Sequence, residues 1–275
     1  MKEVSKDNTI KTIQDNILPI AKDFHKYCEK EKLKYYIIGG TFLGSIRHKG
    51  FIPWDDDIDI AMPREDYEKF LKNYPQKKYF ILNYKTNPEY KYYISKLCSR
   101  DYLIKEKTGN EVNLFIDIFP IDGMPNNKVL KKIHCLRILY HRMKLSFYYN
   151  DTIDRSKKRK CYEKVLIFLA TTIPFKKLIN PSKEKKKIDK LLIKYKFEKS
   201  NYSGTIMGAY REREIVETRL FGEPTLYDFE DTKLYGPEKY DKYLTHMYGN
   251  YMEIPKNIDR TSHCGELIRA TKKQQ

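Results

Sequence analysis

The sequence predicts an α/β (α+β) fold, a mixed sheet flanked by helices, with a mainly helical basic region inserted or appended. Three observations point there. Apolar side chains recur at helical spacing near the start of the chain. Short runs between residues 34 and 119 read as strands bounded by Gly and Pro. Beyond Pro125 the pattern turns mostly helical to about residue 200.

Residues 9–31 place Ile10, Ile13, Ile17, Ile20, Phe24 and Cys28 on one helical face, with a kink expected at Pro19. Residues 34–38 read as a short strand ended by Gly39-Gly40, and 41–47 as a short helix. A loop with Gly50 and Pro53 follows. Residues 57–62 alternate acid and apolar side chains and read as a second strand. Pro63 is placed to open the next helix, whose apolar face is Tyr67, Phe70 and Leu71. Residues 79–84, 92–97 and 114–119 are further strands. There is no internal repeat, and the C-terminal stretch, rich in Tyr, Gly and Pro, shows no clear period. The expected organisation is a core with the N-terminal helix over 1–127, a basic helical region over 128–200 and a C-terminal block over 201–275.

The 275 residues suffice for one large domain or one domain with an accessory region. Hydrophobic residues at 40% and charged residues at 33% argue against global disorder. The net charge of +17 is unevenly placed: residues 128–199 hold 22 Lys and Arg against 6 Asp and Glu, the rest of the chain 32 against 31. Such a middle favours an anionic partner, be it a phospholipid surface, a phosphate-bearing polymer or nucleic acid; a solvated helical surface is the alternative. Cys28, Cys98, Cys135, Cys161 and Cys264 are widely spaced and form no C-x-x-C pair, which argues against a disulfide scaffold or a structural zinc. A reducing cytoplasm is the expected home. Residues 1–14 are polar, so no secretory signal is expected. The longest apolar run, 165–175, contains Pro174 and is too short to span a bilayer. It suits a buried helix or a shallow contact with an anionic membrane face.

The chemistry concentrates in residues 35–60, YYIIGGTFLGSIRHKGFIPWDDDIDI. Gly39 and Gly40 let the backbone turn sharply and approach a ligand with no Cβ in the way. The helix after them aims free N–H groups at the turn, which suits a phosphate, and Thr41 adds a hydroxyl donor. Asp57 and Asp59, two apart on a strand, point the same way while Ile58 and Ile60 point into the core. With Cα atoms about 6.6 Å apart, both carboxylates can converge on one hard cation. Asp55 is in phase with them. In LFIDIFPIDG, Asp117 shares a face with Phe115 and Phe119, opposite Leu114, Ile116 and Ile118. An unpaired acid there costs several kcal/mol. An Arg partner would remove that cost, as would a metal shared with Asp57 and Asp59. Three acids in strand register after a Gly-Gly turn favour the metal, magnesium or else manganese.

On these residues the chain resembles the LicD family, which includes bacterial phosphocholine transferases and is related to fukutin and fukutin-related protein. GGTFLGSIRHKGFIPWDDDIDI resembles the family's first block and FIDIFPIDGMP, residues 115–125, its second. YGPEKYDKYLTHMYGNYMEIP, residues 235–255, followed by His263, resembles its C-terminal block. The resemblance implies the nucleotidyltransferase fold. It also implies transfer of a phospho-alcohol, phosphocholine first, from a CDP-activated donor such as CDP-choline. The acceptor is a hydroxyl of a cell-surface glycan (teichoic acid or lipopolysaccharide) or its lipid-linked precursor, and CMP is released. The resemblance further implies Asp57, Asp59 and Asp117 as metal ligands and Asp55 as the acid after the tryptophan. Gly39, Gly40 and Thr41 match the nucleotide loop, Arg47 and His48 the Arg-His pair, and Lys96 a basic residue that neutralises phosphate.

Two other readings use the same residues. The acids would also serve transfer of a nucleoside monophosphate from a triphosphate to a small molecule or protein, with pyrophosphate rather than CMP as product. A membrane- or nucleic-acid-binding module without catalysis is disfavoured by the intact acid set. Nucleic acid is not expected as substrate, because no RNA-recognition motif is present. Asp55 is a candidate base. His48 and His263 are candidate proton carriers or structural histidines, and Trp54, the only tryptophan, is expected to pack the loop that presents the acids. Among the 24 tyrosines no spacing singles out an aromatic box for choline.

Overall fold

Helix α1 (Lys6–Glu31) buries the whole predicted stripe from Ile10 to Cys28 and runs through Pro19. The computed structural model describes residues 6–87, 89–106, 110–149, 175–254 and 264–269. They fall in two units, Met1–Ile121 with Ser203–Gln275, and Asp122–Tyr202.

In the first unit the chain runs from α1 into β1 (Tyr36–Ile37), α2 (Gly39–His48), β2 (Asp59–Pro63) and α3 (Arg64–Asn73). Then come β3 (Tyr79–Leu82), β4 (Ser95–Glu106) and β5 (Glu111–Gly123). The sheet is mixed, as predicted. Its order begins β1-β2-β5-β4, with β2 and β5 parallel and the other two pairs antiparallel. β3 pairs with β4. Along β5, Leu114, Ile116 and Ile118 are fully buried while Phe115, Asp117 and Phe119 are partly exposed, so the period-two reading of this strand holds.

Several boundaries differ from the sequence reading. α2 begins at Gly39 rather than Thr41, so both glycines lie in its first turn. β2 begins at Asp59, so Asp57 precedes the strand, although burial still alternates from Asp55 to Ile60. Pro63 ends β2 and caps α3 instead of starting it. β4 and β5 run well past the predicted 92–97 and 114–119, because their far ends pair with each other in polar sequence that carries no apolar alternation.

The second unit holds α4 (Lys128–Tyr148), α5 (Phe175–Leu178) and α6 (Pro181–Leu192). Asn127 caps α4 by accepting from the Val129 and Leu130 N–H groups, and Asn180 caps α6 by accepting from Lys183 N–H, with Pro181 in the first turn. Glu184 on α6 is buried and accepts from Lys144 and His141 of α4 and from Lys187. Residues 150–174, with Lys157–Lys160 and nearly all of the run 165–175, lie outside the described residues, as does His263.

Returning to the first unit, the C-terminal stretch that showed no period forms β6 (Tyr202–Gly204), β7 (Ile215–Glu217), β8 (Thr225–Phe229), β9 (Thr232–Gly236), α7 (Tyr240–Tyr248) and β10 (Cys264–Arg269). β8 and β9 make an antiparallel hairpin, and β10 pairs with β4. Among the described residues Cys28, Cys98 and Cys135 are buried and in no disulfide.

Candidate active site

Asp59 on β2 and Asp117 on β5 are register partners in the parallel ladder. Neighbouring strands lie about 4.8 Å apart, so the sheet itself sets these two acids side by side. Asp117 N–H donates to the Ile58 carbonyl at 2.9 Å across this pair, and on the other side of β2 Ile38 N–H donates to the Asp59 carbonyl at 3.0 Å. Thr41 is buried, and its hydroxyl accepts from Asp59 N–H at 2.8 Å.

The first turn of α2 presses on the acids. A Cβ at Gly39 would lie 2.8 Å from Asp59 Oδ2, and one at Gly40 would lie 2.6 Å from Asp55 Oδ2. Gly39 also has φ +60, in the left-handed region where a side chain is strained. Glycine is therefore needed at both positions by the carboxylates as well as by any ligand. No side chain caps the start of α2.

Lys96 on β4 is the antiparallel register partner of Asp117. Its Nζ lies 3.1 Å from Asp117 Oδ1 and 2.9 Å above the Phe115 ring centroid. The ammonium meets the carboxylate as a charge without hydrogen-bond alignment, which leaves Asp117 Oδ1 buried and without a hydrogen bond.

Burial drives the carboxyl groups above their ordinary range. Asp59 is raised by burial first, then by Asp57, Asp117, Asp55 and Glu214. Asp55 is raised by burial, then by Asp57 and Asp56. Burial raises Asp117 too, and Lys96 opposes it. The cluster is thus short of positive charge, which fits a divalent cation. Of the three expected metal ligands, Asp59 and Asp117 are register partners and Asp57 precedes β2. Among the described residues no three His, Cys, Asp or Glu side chains form a group that could hold a metal ion.

Arg47 and His48 lie at the other end of α2 from the glycines, about 12 Å along the helix. Arg47 Nη1 donates to the Tyr251 carbonyl at 3.0 Å, and its Nε donates to His48 Nδ1 at 3.4 Å. The His48 ring stands edge-on to Trp54, which links this end back to the acid loop. Burial, then Arg47, lowers the His48 pKa.

Three contributors were not read from the sequence. Gln14 on α1 is buried, and its Nε2 donates to the Asp55 carbonyl at 2.8 Å and the Ile52 carbonyl at 3.4 Å, fixing the acid loop. Its signal was available: a lone amide between Ile10 and Ile17 on the apolar face of α1. Asp56, in the same acidic run, is 1% exposed. Glu214 closes a turn at Arg211–Glu214, accepts from Tyr210 N–H at 2.7 Å and from the Thr205 hydroxyl, and had no signal in the charged run RERE.

Two cavities flank Asp117 along its strand. Phe119, Asp59, Gly39, Glu214 and Tyr243 line a small one of about 70 Å³. Phe115, Lys96, Tyr90, Tyr92, Glu111 and Asn113 line a larger one of about 400 Å³, within the range of organic ligand pockets.

A family model described as "LicD/FKTN/FKRP, nucleotidyltransferase domain" matches residues 32–181. The lipopolysaccharide cholinephosphotransferase LicD of Haemophilus influenzae is 30% identical over 261 residues, covering 93% of this chain and 96% of that protein. An uncharacterized protein of Rickettsia typhi is 33% identical over 119 residues, 42% of this chain and 38% of its own length. Among the described residues no helix is long and apolar enough to cross a membrane.

Proposed function

The chain belongs to the LicD family and is a transferase, and from that premise we propose that it moves phosphocholine from CDP-choline to a hydroxyl of a lipopolysaccharide-type glycan or its lipid-linked precursor, releasing CMP. The observation that carries this reading is the close approach of Gly39 and Gly40 to Asp59 and Asp55. It puts an uncapped helix start, suited to phosphate, against a carboxylate cluster suited to a cation.

The donor diphosphate would lie at the first turn of α2, beside the Asp59 and Asp55 carboxylates that lie against Gly39 and Gly40. Asp57, Asp59 and Asp117 would hold magnesium or manganese, which when bound neutralises the diphosphate charge. The acceptor oxygen attacks the choline-bearing phosphorus, and the bond from that phosphorus to the bridging oxygen breaks, so CMP departs with the bridging oxygen. Asp55, whose proton affinity is raised by burial and by Asp57 and Asp56, takes the hydroxyl proton. Lys96 offers positive charge beside the reacting phosphate. Arg47 holds the segment around Tyr251 and has its part in the frame of the site.

The larger cavity suits the acceptor saccharide better than choline. Lysines already stand over the Phe115 ring and, at 5.0 Å, the Tyr92 ring, so a quaternary ammonium would meet like charge. Glu111 and Asn113 can bond sugar hydroxyls there. Buried cysteines outside any disulfide suit a reducing compartment, and a cytoplasmic site of action is part of this proposal.

Incubation with magnesium, CDP-choline and a lipopolysaccharide acceptor, with parallel arms containing CDP-ribitol, CDP-glycerol and nucleoside triphosphates, tests it. CMP with choline-labelled glycan is the expected product. Pyrophosphate from a triphosphate would replace the reading with nucleotidyl transfer.

A further inference from the structure

Helix α4 is apolar on two faces. One face, with Cys135, Ile138 and Leu145, is buried. The other carries Val129, Ile133, Leu136, Tyr140 and Met143, which are 39–68% exposed. Steps of four, three, four and three residues keep these five within about 80° of arc over four turns of helix. Lys132 and Arg137, both exposed, flank the stripe. The surrounding region, 128–199, holds 22 Lys and Arg against 6 Asp and Glu.

We infer that this face of α4 lies in the surface of an anionic phospholipid bilayer. The stripe sits at the acyl boundary, and the lysines and arginines beside it meet the lipid phosphates. An exposed apolar row of this size marks a contact surface rather than ordinary solvent-facing helix. Charge selects the occupant. A second copy of the chain would bring the same positive surplus to the patch and be repelled, whereas anionic lipid neutralises it. Nucleic acid would satisfy the charge and leave the five apolar side chains without partners. Contact in the plane also agrees with the lack of any membrane-crossing helix among the described residues. The inference uses this unit alone and stands whichever group is transferred, while giving a lipid-linked acceptor a place to be met.

Co-sedimentation of the full chain with vesicles tests it. Binding is expected to phosphatidylcholine mixed with phosphatidylglycerol, about tenfold weaker to phosphatidylcholine alone, and reversed by salt. Leu136→Gln with Tyr140→Gln removes apolar area without changing charge, and should weaken anionic-vesicle binding about tenfold with circular dichroism and transfer to a soluble acceptor preserved. Lys132→Gln with Arg137→Gln should weaken binding and flatten its salt dependence. Unchanged binding in the Leu136/Tyr140 variant, or equal binding to both vesicle types, would overturn the inference. So would a stripe substitution that splits an oligomer in size-exclusion chromatography while no vesicle binding is seen, which would give the face to a second copy. Loss of phosphocholine transfer with vesicle binding intact would count against the proposed reaction and leave the membrane face standing.

Discussion

Asp59 and Asp117 occupy adjacent positions in the parallel β2–β5 ladder, and the Asp117 charge adds to burial in raising the cost of ionising Asp59. Removing one of two repelling, partly buried carboxylates should not destabilise the metal-free protein. Asp59→Asn is therefore expected to melt at the same or a higher temperature than the parent in chelator. It should lose the stabilisation that magnesium gives the parent, about 2.7 kcal/mol at a hundred times Kd. Transfer should fall about 100-fold or more. Calorimetry with and without magnesium, beside an activity assay, reads all three; a variant that keeps its magnesium response would take Asp59 out of the ligand set.

Gly40 faces Asp55 so closely that an added Cβ would sit 2.6 Å from a carboxylate oxygen. Gly40→Ala should push Asp55 aside without unfolding α2, since alanine favours the helix. The expected result is near-normal circular dichroism with transfer reduced about tenfold or more, mostly in kcat if Asp55 is the base. Gly39→Ala adds backbone strain of about 1 kcal/mol at its positive φ and should also lower the melting temperature. Full activity in Gly40→Ala would mean that the position of Asp55 does not matter.

Local pattern made much of this site legible. The period-two alternation of β5 located Asp117 correctly on the face of Phe115 and Phe119, because one side of that strand is core and the other is not. The stripe from Ile10 to Cys28 located α1 for the same reason. Pairing partners were not legible. That Lys96 would face Asp117 depends on the register of β4 against β5, which a bulge between Cys98 and Leu103 shifts further along. Glu214 reaches its position through a short turn with no period at all. The C-terminal hairpin escaped because its strands are five residues each and half polar, yet it supports the acid loop: Glu230 Oε1 accepts from Phe51 N–H at 3.0 Å.

Gln14 converts a helix into a clamp on that loop. Its amide donates to two carbonyls, those of Asp55 and Ile52, from a site that is 5% exposed. Gln14→Leu keeps the size and removes both donors, leaving buried carbonyl oxygens unsatisfied at a cost of about 1–3 kcal/mol. A positioning role predicts more than lost stability: magnesium affinity should fall as well, because Asp55 and Asp57 would no longer be held in place. Magnesium titration followed by Trp54 fluorescence measures this. A variant that loses stability and keeps its magnesium affinity would show that Gln14 serves packing alone.

Glu184 gives the basic unit an acid-sensitive lock. Burial alone would raise its carboxyl pKa, but hydrogen bonds from Lys144 at 2.8 Å, His141 at 2.5 Å and Lys187 at 3.0 Å outweigh burial and hold it at about 2 against an ordinary 4.5. The folded state therefore resists protonation at a pH where the unfolded chain accepts a proton. Between those two values the unfolded state binds more protons, so this contribution to stability is complete above about pH 4.5 and fades as the pH falls towards about 2. Glu184→Gln should be less stable than the parent near neutral pH, because it leaves Lys144 and His141 without their shared anion. It should also lose less stability on acidification across that window. Urea unfolding followed by helical circular dichroism at about pH 7 and about pH 3 tests the sign. Parallel pH profiles for parent and variant would show that the α4–α6 contact draws no stability from this carboxylate.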